Sequence, residues 1–140
     1  SRVDVNNTCF LSPDNMTEAI KYYCRNTNQR EPETVSELAS CIYQSLAESY
    51  AETARELEEL TKRSYSRIHI VGGGSNAAYL NELTAKSTGK KVYAGPIEAT
   101  SVGNLIAQML HSGEFINLAE ARNAIYKSFD IKEVNNNQNL

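Results

Sequence analysis

From Val35 to Leu60 apolar residues return every third or fourth position, as Val35, Leu38, Ile42, Leu46, Tyr50, Ala54, Leu57 and Leu60. That spacing draws one apolar stripe along a helix of roughly seven turns and predicts a core-facing helix. Its start is marked by Thr34-Val35-Ser36-Glu37, whose T-x-x-E spacing lets each side chain satisfy the other end's backbone N–H. An earlier helix is predicted to open at Ser12-Pro13-Asp14 and run to about Arg25, with Ser12 as cap and Pro13 tolerated in the first turn. After the long helix the period changes. Arg67-Ile68-His69-Ile70-Val71 and Lys91-Val92-Tyr93-Ala94 are β-rich runs stopped by glycine, the second by Gly95-Pro96. Between them residues 76–87 carry a weaker helical pattern, with Ala78, Leu80, Leu83 and Ala85, closed by Gly89. Strand, helix, strand is a parallel crossover unit. A further helix is predicted from Glu98 to His111, with Gly113 past its end, and a last one from the cap Asn117 to about Phe129.

Two strands make a poor sheet, because α/β domains bury a larger parallel sheet between helices. The chain is therefore expected to be the later part of an α/β domain, helix-rich with a partial sheet, over residues 1–134. Residues 135–140 form a polar, low-complexity tail expected to lack structure. An unpaired strand edge and the apolar stripe together predict that the isolated chain self-associates.

Composition narrows the chemistry. The chain is 41% hydrophobic and 22% charged, which suits a soluble globular domain. A net charge of −3 argues against nucleic acid or an anionic membrane as a partner held by general electrostatics, so any anionic ligand must be held locally. No run approaches the roughly 18 apolar residues of a membrane span, and the polar start S-R-V-D-V-N-N has no signal-peptide core. A cytoplasmic protein is expected. Cys9, Cys24 and Cys41 are odd in number and lack metal-type spacing, which predicts buried, reduced thiols.

One stretch carries candidate chemistry. Gly72-Gly73-Gly74-Ser75-Asn76-Ala77 fits G-x-G-x-x-A between a strand and a helix. A dinucleotide site would also need an acid at the tip of the next strand; that tip is Tyr93-Ala94-Gly95-Pro96, and the nearest acid, Glu98, lies beyond the proline. A P-loop is excluded because no Gly-Lys-Ser/Thr follows. What remains is backbone without side chains, open to close approach by a base, ribose or phosphate, ahead of a helix start with unpaired N–H groups. Glu56, Glu58 and Glu59 read as the solvated end of the long helix, His69 as a structural strand residue, and His111 as a charge complement to its helix C-terminus. Gly103, inside a helical pattern, predicts a close helix–helix or helix–strand contact ahead of direct ligand contact, and Asn104 and Thr100 are candidates to face the glycine turn, Thr100 being equally a first-turn helix residue.

I-V-G-G-G-S-N-A-A-Y-L-N-E-L-T-A at residues 70–85, with A-G-P-I-E-A-T-S-V-G-N-L-I-A-Q at 94–108, closely resembles the C-terminal part of the FGGY carbohydrate kinases, and within them the rhamnulokinase subgroup. F-L-S-P-D-N-M-T-E-A-I at 10–20 and C-I-Y-Q-S-L-A at 41–47 extend the resemblance over nearly the whole chain. It implies the C-terminal portion of an actin-like ATPase (ribonuclease H-like) domain. The implied parent reaction is ATP plus L-rhamnulose giving ADP and L-rhamnulose 1-phosphate, with Mg²⁺ on the phosphates. By resemblance Gly72, Gly73, Gly74, Ser75 and Asn76 line the adenosine side of the nucleotide site. The subgroup commonly carries Gln then Asn after G-G-G-S, where this chain has Asn76 then Ala77, so an amide used for nucleotide contact in related kinases is lost and adenine affinity is expected to change. The family's catalytic Asp lies in a segment before the part matched, so Asp4, Asp14 and Asp130 have no claim to that role. The sugar is expected to be held by segments outside this chain, which alone is expected to be inactive. The alternatives are a non-catalytic nucleotide-binding or assembly module, or a kinase for another sugar.

Overall fold

A computed structural model describes residues 1–134; the polar tail expected at 135–140 lies outside the described residues. The chain divides into two compact units, Ser1–Ser64 with Lys86–Thr88, and Tyr65–Ala85 with the described residues from Gly89 onward.

The first unit holds helices α1 (Met16–Asn26) and α2 (Val35–Thr61). Helix α1 starts later than Ser12-Pro13-Asp14 suggested: the cap is Asn15, in extended conformation, and its side chain accepts from the Glu18 N–H. Asn caps as well as Ser, and Asn15-x-x-Glu18 repeats the spacing already seen at Thr34. At α2 the box forms as expected, with the Thr34 hydroxyl accepting from the Glu37 N–H at 3.1 Å and the Glu37 carboxylate accepting from the Thr34 N–H at 3.2 Å. The N–H groups of Glu33 and Thr34 also hold the Glu37 carboxyl below its usual pKa range.

The face that α2 buries differs from the apolar stripe. Cys41, Ser45, Ala47 and Ala51 are buried, whereas Val35 and Leu60 are 85% and 83% exposed. The reason is backbone approach. Val3 N–H donates to the Ser45 hydroxyl at 2.9 Å, and that hydroxyl donates on to the Cys41 carbonyl at 2.6 Å. The Gln29 side chain exchanges two bonds, each 2.7 Å, with the backbone of Arg2. A segment lying this close to a helix needs small residues beneath it. Ile20, Cys24 and Cys41 form the core of this unit, with Val3, Phe10, Leu38 and Ile42 packed against it.

Two of the three thiols are buried as expected, but Cys9 is exposed. Burial, reinforced by the neighbouring Cys24, pushes the Cys41 thiol pKa up. A thiol reagent at mildly alkaline pH should therefore label Cys9 alone in the native chain and all three after denaturation. Rapid native labelling of Cys24 or Cys41 would contradict this packing.

The second unit runs β1 (Arg67–Ile70), α3 (Ala78–Thr88) as far as Ala85, β2 (Lys91–Ala94), α4 (Ala99–Ser112), α5 (Leu118–Ser128) and β3 (Lys132–Val134). Its sheet has the order β1-β2-β3, with β1 parallel and β3 antiparallel to β2. The expected crossover is present, and β3 is a strand that the apolar pattern did not indicate. The register puts Ile68, Ile70, Val92, Ala94 and Val134 on one face, where Val92 and Ala94 are buried, and Arg67, His69, Lys91, Tyr93 and Glu133 on the other. Gly89 and Gly113 end α3 and α4 with φ of +66° and +83°, as their positions predicted.

Candidate functional site

β1 and β2 are parallel, so their carboxyl ends lie at one end of the sheet, where open α/β sheets take ligands. Val71 leaves β1 and caps a 3-10 turn, Gly72–Asn76, and Gly95-Pro96 leaves β2. Backbone bonds join the two exits: Gly72 N–H donates to the Pro96 carbonyl at 3.0 Å and Gly95 N–H to the Ile70 carbonyl at 2.8 Å. Gly72 has φ +73°, a left-handed conformation that side chains resist.

Inside the turn the Ser75 hydroxyl donates back to the Gly72 carbonyl at 2.7 Å, and the Ala77 N–H donates to the Gly74 carbonyl at 3.1 Å. These short closures delay the helix, which begins at Ala78 rather than Asn76. All five candidate residues, Gly72, Gly73, Gly74, Ser75 and Asn76, thus sit in one turn. A Cβ placed on Gly73 would meet nothing within 4 Å, and one on Gly74 only the Ile70 Cγ2 at 3.7 Å. The glycines are therefore not demanded by packing inside the chain, and the surface beside Gly73 is open to a flat ligand. Neither α3 nor α4, whose starts follow the two strand exits, has a side-chain cap on its first N–H groups. That matches a site for an anionic or polar ligand.

Asn81 belongs to this turn, although the sequence pattern did not single it out. It is 2% exposed, and its Nδ2 donates to the Ser75 carbonyl at 3.0 Å. A signal was present: an amide on the apolar side of a helix must find a partner when buried. Gly103 shows the opposite. Among the described residues the expected packing contact is not seen, since a Cβ there would meet nothing within 4 Å. Thr100 lies in the first turn of α4, and Asn104 is exposed one turn further on.

His69 stacks on Tyr93 with ring centroids 5.3 Å apart and 19° between planes, a cross-strand pair fixed by the register. Tyr93 in turn meets the edge of Tyr126, and its hydroxyl donates to Glu133 at 3.2 Å. A structural histidine is the reading this supports. Glu56 and Glu59 are exposed near the end of α2, as expected of a solvated terminus.

Rhamnulokinase of Halalkalibacterium halodurans is 46% identical over 132 residues, covering 94% of this chain and 28% of that protein. Rhamnulokinase of Bacillus subtilis is 48% identical over 130 residues, covering 93% and 27%. The chain thus spans little more than a quarter of the length of these relatives. Residues 3–112 match the C-terminal domain of the FGGY family of carbohydrate kinases. With a match over most of its length and the glycine turn at the carboxyl ends of its parallel strands, the chain belongs to the FGGY family of carbohydrate kinases.

Proposed function

We propose that the chain is the nucleotide-binding C-terminal segment of an ATP-dependent kinase that converts L-rhamnulose to L-rhamnulose 1-phosphate, releasing ADP. The observation that carries this reading is the open surface beside Gly73, within a turn that two strand exits and two uncapped helix starts surround. Gly73 and Gly74 form the adenosine wall, with Gly72, Ser75 and Asn76 setting the turn. The sugar assignment draws on relatives that are themselves rhamnulokinases. Mg²⁺ accompanies the nucleotide's phosphates. Its ligands, the base and the sugar contacts are assigned to the rest of the kinase, because the resemblance covers only the C-terminal part of the family and its catalytic Asp lies before the matched part. We take the kinase domain to extend past residue 112 to 134, a reading supported by the pairing of β3 with β2. None of the described helices is long and apolar enough to cross a membrane, and a cytoplasmic enzyme fits the substrates.

In the full-length kinase, Gly73→Val should raise the KM for ATP about tenfold or more while leaving the KM for L-rhamnulose nearly unchanged, because a branched side chain fills the adenosine wall. Equal effects on both substrates would remove the turn from the nucleotide site. The 140-residue chain alone should release no ADP above a protein-free control in a coupled assay with L-rhamnulose. Clear turnover would place the base within this chain. If the full-length protein binds ADP but phosphorylates no sugar, it is a nucleotide-binding module instead.

A further inference from the structure

We propose that Asn81 is a positioning residue for the nucleotide, acting on it through the glycine turn; the inference rests on the reading of that turn as the adenosine wall. The turn holds three consecutive glycines, the residue type with the most backbone freedom to lose. Side-chain packing does nothing to restrict Gly73, which has no neighbour within 4 Å of a Cβ, and little for Gly74. Hydrogen bonds do the restricting. Asn81 Nδ2 holds the Ser75 carbonyl at 3.0 Å, the Ser75 hydroxyl holds the Gly72 carbonyl at 2.7 Å, and the Gly72 N–H is tied to Pro96 at 3.0 Å. The result is a strap running from the buried side of α3, through the turn, to the exit of β2.

Asn81 is an unexpected choice for the helix alone. It is 2% exposed beside the buried Thr84 and Ala85, where an apolar residue would satisfy packing without an amide to desolvate. Its side-chain amide reaches out of the helix to the turn. A turn ordered in advance spares the ligand the loss of backbone freedom on binding, so the strap acts on affinity for the ligand that lies against it. The sugar, bound elsewhere, gains nothing from it. Nucleotide affinity and sugar affinity therefore separate when the strap is cut.

The test uses the full-length kinase, with ADP dissociation constants from calorimetry, KM for L-rhamnulose, and thermal unfolding to confirm folding at the assay temperature. Asn81→Ala should weaken ADP about tenfold, and Ser75→Ala, which cuts the other half of the strap at a half-buried position, about threefold, in line with the loss of single hydrogen bonds. The KM for sugar should stay within about twofold in both, since uniform loss of structure would move both ligands together. A folded Asn81→Ala with unchanged ADP affinity overturns the proposal. Should that variant fail to fold, Ser75→Ala decides: unchanged ADP affinity there overturns it equally. Gly73→Val separates the two levels. If it also leaves ADP binding intact, the turn is not the adenosine wall; if it weakens ADP while the strap variants do not, only the role of Asn81 falls.

Discussion

Replacing Gly95 with Ala is expected to destabilise the chain by about 2–5 kcal/mol, since of the glycines in this structure Gly95 alone would put a Cβ within 3.0 Å of another atom. Gly95 has φ +115°, a conformation that L side chains rarely adopt. A Cβ there would stand 2.7 Å from the Asp130 carbonyl oxygen and 3.5 Å from the Ile131 Cα. Both are backbone atoms, so no side chain can swing away. Relief requires moving the segment that leads into β3, or opening the bond from Gly95 N–H to the Ile70 carbonyl at 2.8 Å that joins the two strand exits. Gly103→Ala is the matched control. It adds the same methyl group in the middle of α4, where nothing lies within 4 Å, and should stabilise by about 0.5–1 kcal/mol through helix propensity. Thermal denaturation at one fixed protein concentration should lower the Tm by roughly 6–15 °C for Gly95→Ala and raise it by a few degrees for Gly103→Ala. Equal shifts in the two variants would mean that Asp130 does not lie over Gly95.

The contrast between these glycines shows which features the sequence makes legible. Local chemistry is readable: Thr34 and Glu37 mark the start of α2, Gly89 and Gly113 mark two helix ends, and β2 is found residue for residue. Each signal rests on neighbours within a few positions. What is missed depends on contacts between distant positions. Gly95 reads only as a stop signal until Asp130, thirty-five residues on, lies over it. Gly103 suggests packing that none of the described residues supplies. The stripe on α2 finds only part of the buried surface: Leu38 and Ile42 pack against the core, but the fully buried positions include the small residue Ser45, under the close approach of Val3, which hydrophobicity does not mark. β3 is only three residues, Lys132-Glu133-Val134, too short to show an alternation, and it is held by pairing with β2. In the candidate site the glycines are legible from their spacing, but Asn81 acquires its role only through the bond to Ser75.

The exposed stripe leads to the second large effect: the isolated 140-residue chain is expected to associate with itself, while the full-length kinase need not. Val35 and Leu60 on α2 are 85% and 83% exposed and Leu57 is 47% exposed; Leu105 on α4 is 56% exposed. Half of α4 is apolar, yet it buries only Val102. Among the described residues β1 pairs on one side alone, with β2, so its other edge presents backbone donors and acceptors to any extended partner. Scattered apolar residues at a surface are ordinary, but apolar stretches on two helices together with an open strand edge favour contact between copies. The net charge of −3 offers only weak repulsion against it. In a kinase of the relatives' length the further residues are available to cover these surfaces, so association there need not be driven by them. Light scattering over a dilution series should give a mass above that of one chain at high concentration, falling as the sample is diluted, or outright aggregation. A single species near 15.5 kDa at every concentration, with cooperative thermal unfolding, would mean that three strands and five helices suffice as a closed domain and that the stripe on α2 needs no cover.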